Sequence, residues 1–165
     1  MIERIVTLIH ALREELGEYG EMLALLDRQQ QQVIARAADE VFQSIGLIKA
    51  QGLAIQHARA RREQCLVHVA QSFEASNDSA FADVIPLMPS DYQPLVTALV
   101  EENNSLLVRV RQRARQNHLL LSRSMELMQN LINTLFPAQE MRVYNDQGSM
   151  NVRGMSARPL LEAVG

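Results

Sequence analysis

What this sequence lacks narrows its chemistry before any pattern is read. It has no tryptophan and its aromatic content is 4%, while 47% of its 165 residues are apolar, drawn mainly from Leu, Ala, Val, Ile and Met. That is the composition of helices rather than sheets, in a chain about the size of one domain. The single cysteine, Cys65, excludes an intrachain disulfide framework and fits a reducing compartment. No uncharged apolar run reaches the ~18 residues a membrane helix needs, and Met1-Ile2-Glu3-Arg4 places acid and base ahead of any apolar run. A cytoplasmic chain with no membrane insertion is therefore expected.

Catalytic and metal patterns are equally scarce. None of His10, His57, His68 or His118 has a glutamate three residues before it, as a four-helix metal site would require. Cys65 and His68 lie one turn apart, but no second cysteine exists to complete a site. There is no Gly-rich phosphate loop and no Gly-x-Ser-x-Gly elbow. The expectation is a non-enzyme without metal or cofactor. Net charge is −3, so the molecule as a whole has no field that attracts nucleic acid. Fifteen of the sixteen basic residues are Arg, which favours planar pairing with carboxylates over diffuse positive charge. Arg109, Arg111, Arg113 and Arg115 form the one concentrated basic run, and helical geometry splits them between two sides.

What is present is a set of heptads. From about Tyr92 to Phe136 runs one long helical pattern with three apolar stripes: Leu99, Leu106, Leu120, Leu127; Val100, Leu107, Ala114, Leu121, Met128, Leu135; and the half-polar Val96, Asn103, Val110, Asn117, Ser124, Leu131. Together they make a face too wide for one partner helix, so two others must cover it. The first helix, about Ile2 to Ala37, carries the seam Ile2, Ile9, Leu16, Leu23, Ala37 alternating with Ile5, Leu12, Tyr19, Leu26, Val33. A turn near Ala37-Ala38-Asp39-Glu40 follows, with Asp39 expected as the N-cap of the second helix. That helix runs to about Glu74 on Val41, Ile45, Ile48, Gly52, Ile55, Leu66, Val69 and Phe73, interrupted by Arg59 and Arg62.

If the first two helices pack antiparallel about that turn, residues whose numbers sum to roughly 76 lie level. Glu14, Glu15 and Glu18 then face Arg59, Arg61 and Arg62, with Arg113 at a similar height, in a mid-bundle charge layer that fixes register. The alternative use of the first seam is a structural coiled-coil adaptor that homodimerises through helix 1. Ser76 to Ser79 is a turn, and Phe81 to Ile85 a short helix stopped by Pro86. Ser90 and Gln93 have capping-box spacing before the third long helix, which Pro137 ends. Beyond it periodicity is lost among turn formers and scattered apolar residues. The fold class expected is all-α: an antiparallel bundle of three long helices with a short linker helix over residues 1–137, and an irregular C-terminal tail, residues 138–165, as a partner-binding segment.

Four stretches go further when taken in order: Leu87-Met88-Pro89; Glu101-Glu102-Asn103-Asn104-Ser105-Leu106-Leu107; Asn117-His118-Leu119-Leu120-Leu121-Ser122-Arg123; and Val143-Tyr144-Asn145-Asp146-Gln147-Gly148. With them the chain resembles the FlgN family of flagellar export chaperones over nearly its whole length, the last stretch being similar to that family's Tyr-x-x-x-Gly. The resemblance implies a cytoplasmic, non-enzymatic chaperone that binds the hook-associated proteins FlgK and FlgL, prevents premature assembly and delivers them to the flagellar type III export gate. It puts the client side in the third helix beyond about Asn117 and in the tail, and export-gate docking at Tyr144. The tail past Gly148, ending Arg158-Pro159-Leu160-Leu161, is longer than the family pattern.

Within that region an adaptable apolar surface is expected from the end of the third helix. Leu121, Met128 and Leu135 lie on a core stripe, whereas Met125, Ile132 and Phe136 lie off it. The client-binding set is taken as Met125, Met128, Ile132, Phe136, Met141 and Val143.

Overall fold

The computed structural model describes residues 1–135. They form four helices, α1 (Ile2–Ile34), α2 (Ala38–Ser72), the short α3 (Phe81–Val84) and α4 (Gln93–Leu135), with a 3-10 turn at Ile85–Leu87. Three long helices and a linker helix are present, and no strand occurs among the described residues. The chain divides into two compact units, Met1–Arg123 and Ser124–Gly165.

The first unit is built on an α1–α2 hairpin whose register follows the expected sum. Arg4 Nη1 donates to Ser72 Oγ at 2.7 Å, Arg61 Nη1 to Glu14 Oε2 at 2.9 Å, and Gln29 Nε2 to Ser44 Oγ at 3.0 Å. The turn differs from expectation. α1 stops at Ile34 rather than Ala37, and Asp39 is not the N-cap: that position falls to Ala37, which has no side-chain cap, and Asp39 sits in the first turn. The chain reverses through Arg36, at φ 57°, where a glycine would be the unstrained choice. Glu74, at φ 56°, closes the other end of α2 after Ser72, two residues before the expected limit.

α4 lies parallel to α1, and asparagine side chains set its register. Asn103 Nδ2 donates to the Leu12 carbonyl at 3.0 Å, and Asn117 Nδ2 to the Leu26 carbonyl at 2.7 Å, both with a separation of 91 in sequence. The two asparagines are two heptads apart, so one interaction repeats along the interface. The half-polar stripe is consequently the most buried face of α4: Val96, Asn103, Val110 and Asn117 are buried, whereas Leu106 and Leu107 are half-buried and Ala114 is exposed.

The core falls into two apolar clusters. The larger gathers Ile5, Leu8, Leu12, Leu66, Val69, Val84, Met88, Val96 and Leu99, and the smaller Tyr19, Met22, Leu26 and Val110 with Ile48 and Ile55 at its edge. Each fully buried Leu or Ile contributes roughly 1.5–3 kcal/mol relative to exposure. α1 serves both clusters with a wider face than its two-set seam, because Leu8, Glu15, Met22 and Gln29 form a third buried stripe. On α2 the buried position is Ser44 rather than Ile45, which is 51% exposed, since Gln29 reaches across to the serine hydroxyl.

Between the clusters stands the charge layer. Glu15 is 3% exposed; its Oε2 meets Arg62 Nε at 2.9 Å and its Oε1 accepts the Tyr19 hydroxyl at 2.9 Å. Arg59 approaches the same carboxylate at 3.9 Å, and Arg62 lies over the Phe81 ring at 5.7 Å. Two members of the expected layer are elsewhere. Glu18 accepts from Gln51, and Arg113 pairs with Asp27 at 2.6 Å, about 18 Å further along α1 at 1.5 Å per residue. Arg113 was misplaced because the α1–α4 offset depends on asparagine bonds to anonymous backbone carbonyls.

The linker also caps differently. Gln93 Nε2 donates to the Met88 carbonyl at 2.7 Å rather than closing a box with Ser90, and the Asp83 carboxylate accepts the Ala80 amide at 3.0 Å. Pro94 does fall in the first turn of α4, where its missing N–H is not needed. The expected stop at Pro137, and with it the boundary between bundle and tail, lies outside the described residues.

Candidate functional site

The residues from Ser124 to Leu135 are helical for local reasons. Leu, Met, Gln and Glu dominate, and the polar side is laced one turn apart, Gln129 Nε2 to Asn133 Oδ1 at 3.2 Å and Thr134 Oγ1 to the Asn130 carbonyl at 2.8 Å. The opposite side carries Met125, Met128, Ile132 and Leu135, at the 3,4,3 spacing of one helical face, with Leu131 beside them one turn after Met128.

That face is exposed. Met125 is 73% accessible, Met128 59%, Leu131 52%, Ile132 45% and Leu135 63%. Met128 and Leu135 were expected on a core stripe, and the structure overturns that; Leu121 alone of the three is partly covered. The reason is length. α1 ends at Ile34, eight residues past Leu26, whereas α4 runs eighteen residues past the Asn117 that bonds to it. The same arithmetic accounts for Leu127, 71% accessible, which sequence reasoning had assigned to a core stripe. Comparing the heptad counts of the helices would have found it.

Glu126 is the one charged residue between Ser124 and Leu135. The strip is therefore an apolar surface of low charge with two flexible thioethers in it, suited to covering an amphipathic helix and unsuited to acid–base chemistry. Met125, Met128 and Ile132 are brought together on it. Phe136, Met141, Val143 and Tyr144 lie outside the described residues.

Elsewhere burial shifts two titratable groups. Burial, then the hydrogen bond to Glu15 and the charge of Glu15, push the Tyr19 phenol up to about 12. Burial likewise pushes the Cys65 thiol up. Among the described residues no group of three or more His, Cys, Asp or Glu side chains is placed to hold a metal ion, and no helix is long and apolar enough to cross a membrane.

Comparison with known proteins identifies a family. No curated protein and no solved structure matches the chain. A family model described as FlgN protein matches residues 1–151, which takes in all four helices and continues past them. The chain therefore belongs to the FlgN family, a family of flagellar export chaperones rather than of enzymes.

Proposed function

We propose that this chain binds the hook-associated proteins FlgK and FlgL, keeps them from assembling prematurely and delivers them to the flagellar type III export gate. The observation that carries the proposal is the low-charge apolar strip Met125, Met128, Leu131, Ile132, Leu135, left open to solvent on α4. A client helix whose own apolar face would otherwise polymerise gains roughly 1.5–3 kcal/mol for each large side chain buried on such a strip. Phe136, Met141 and Val143 extend the client site, and Tyr144 docks the export gate. The cytoplasm is where such a chaperone meets its clients.

Calorimetric titration of the intact chain with C-terminal fragments of FlgK and FlgL tests the reading. Saturable binding near one to one is expected, retained by Tyr144→Ala and weakened by Met125→Ser/Met128→Ser/Ile132→Ser. A well-folded chain that binds neither fragment sinks the proposal. The adaptor reading required the helix 1 seam to be free for a second copy, and Ile5, Leu12, Tyr19 and Leu26 are buried within the chain.

A further inference from the structure

A second surface lies on another edge of α4 within the first unit. Between Glu102 and Glu126 the sequence has five arginines, Arg109, Arg111, Arg113, Arg115 and Arg123, and no carboxylate. This is a local charge of +5 in a chain of net −3, so the remainder sums to −8. Arg113 is held by Asp27. Arg109, Arg111, Arg115 and Arg123 are exposed and have no ion pair among the described residues. The arginines are thus not spent on holding the bundle together.

Their positions are not equivalent. Arg109, Arg113, Gln116, Leu120 and Arg123 recur at i, i+4, i+7, i+11 and i+14, one edge of the helix, about 21 Å long at 1.5 Å per residue. That edge borders an open groove of about 410 Å³ between α1 and α4, lined by Gln30, Arg113, Gln116, Leu119, Leu120 and Arg123. Leu119, 55% exposed, and the half-buried Leu120 give it an apolar floor, with arginines at both ends.

We infer that this groove docks an acidic amphipathic helix of a partner protein distinct from the client. A bulky apolar side chain of that helix covers Leu119 and Leu120, and carboxylates about three turns and one turn away meet Arg109 and Arg123 respectively. Arginine's planar fork suits carboxylate pairing, and an apolar floor suits a helix face. A nucleic acid fits less well, because the remaining −8 repels a polyanion and no exposed aromatic residue lines the groove to stack on bases. The site differs from the strip at Met125 to Leu135 in its dependence on salt, so the chain engages two partners by separable chemistries.

The test pans a displayed library of randomised helical peptides, long enough to span the stripe, against the intact chain and against two variants of equal charge change. One is Arg109→Gln/Arg123→Gln, on the groove edge, and the other Arg111→Gln/Arg115→Gln, on the opposite flank. Enriched peptides should carry excess Asp and Glu around one large apolar residue. By fluorescence anisotropy the best of them should bind about tenfold more weakly to the groove variant and unchanged to the flank variant, with affinity falling as salt rises. Met125→Ser/Met128→Ser/Ile132→Ser should leave this binding intact, which separates its failure from that of the client proposal. Enrichment without acidic excess, or equal loss in the two arginine variants, would overturn the inference. So would a duplex DNA or an anionic vesicle that binds the chain more tightly than the peptides and loses that binding in the groove variant.

Discussion

Arg62 Nε and Glu15 Oε2 meet at 2.9 Å across the α1–α2 interface, with the Glu15 side chain 4% exposed and that of Arg62 16%. The pair stands where two apolar clusters would otherwise join, and it is completed by a phenol and a second guanidinium. Taking such a pair out of water offsets much of its attraction, so its worth lies in what happens when one member is lost.

Glu15→Gln should therefore destabilise the fold by about 3 kcal/mol, since it leaves the largely buried Arg62 with only the exposed Glu63 carboxylate, 3.5 Å away, as a counter-charge. The double variant Glu15→Leu/Arg62→Met should recover most of that loss. Urea unfolding followed by circular dichroism measures both; equal destabilisation in the two would show that the layer contributes stability as such.

Alkaline pH should act through Tyr19. Its phenol is raised from 10.0 to about 12, so the folded state resists an ionisation that the unfolded chain accepts. The sign follows: the associated stability is fully present below pH 10 and is lost as pH rises through about 12. Tyr19→Phe should flatten this alkaline arm while lowering stability at neutral pH by about 1 kcal/mol through the lost bond to Glu15. An unchanged alkaline arm in the variant would assign the pH dependence to another group.

At the turns the expectation is a gain. Arg36 and Glu74 hold left-handed backbone that costs a non-glycine residue on the order of 1 kcal/mol. Arg36→Gly should raise the midpoint of thermal unfolding, and a fall would mean that the extra freedom of glycine in the unfolded chain outweighs the relieved strain.

For the exposed strip, Met125→Ser/Met128→Ser/Ile132→Ser should change stability by less than about 0.5 kcal/mol per site, as surface substitutions do. The same variant should weaken client binding about tenfold or more, read by titration. A large loss of stability would instead place these side chains in a folded core.

The antiparallel register of α1 and α2 was legible because the apolar seams of both helices run up to one turn, so a single sum places Glu14 and Glu15 opposite Arg61 and Arg62. The α1–α4 register was not. It rests on Asn103 and Asn117 reaching the carbonyls of Leu12 and Leu26, and a backbone acceptor leaves no mark on residue identity. The same ambiguity hid the open strip: Met128 and Leu135 repeat with the core period, and only the end of α1 at Ile34 distinguishes them from core. The turn at Arg36 escaped notice for a simpler reason, that an arginine occupies a position for which glycine is the usual sign.

Cys65 supplies the chain with a clock of its own. It is the only thiol in the sequence, it is buried in the larger core cluster, and burial suppresses its thiolate. A thiol reagent reaches it freely once the packing of that cluster opens, so the labelling rate times the opening of the bundle without any added probe. Recorded with and without a bound partner, that rate would show whether a guest seated elsewhere on α4 quiets the helices that hold it.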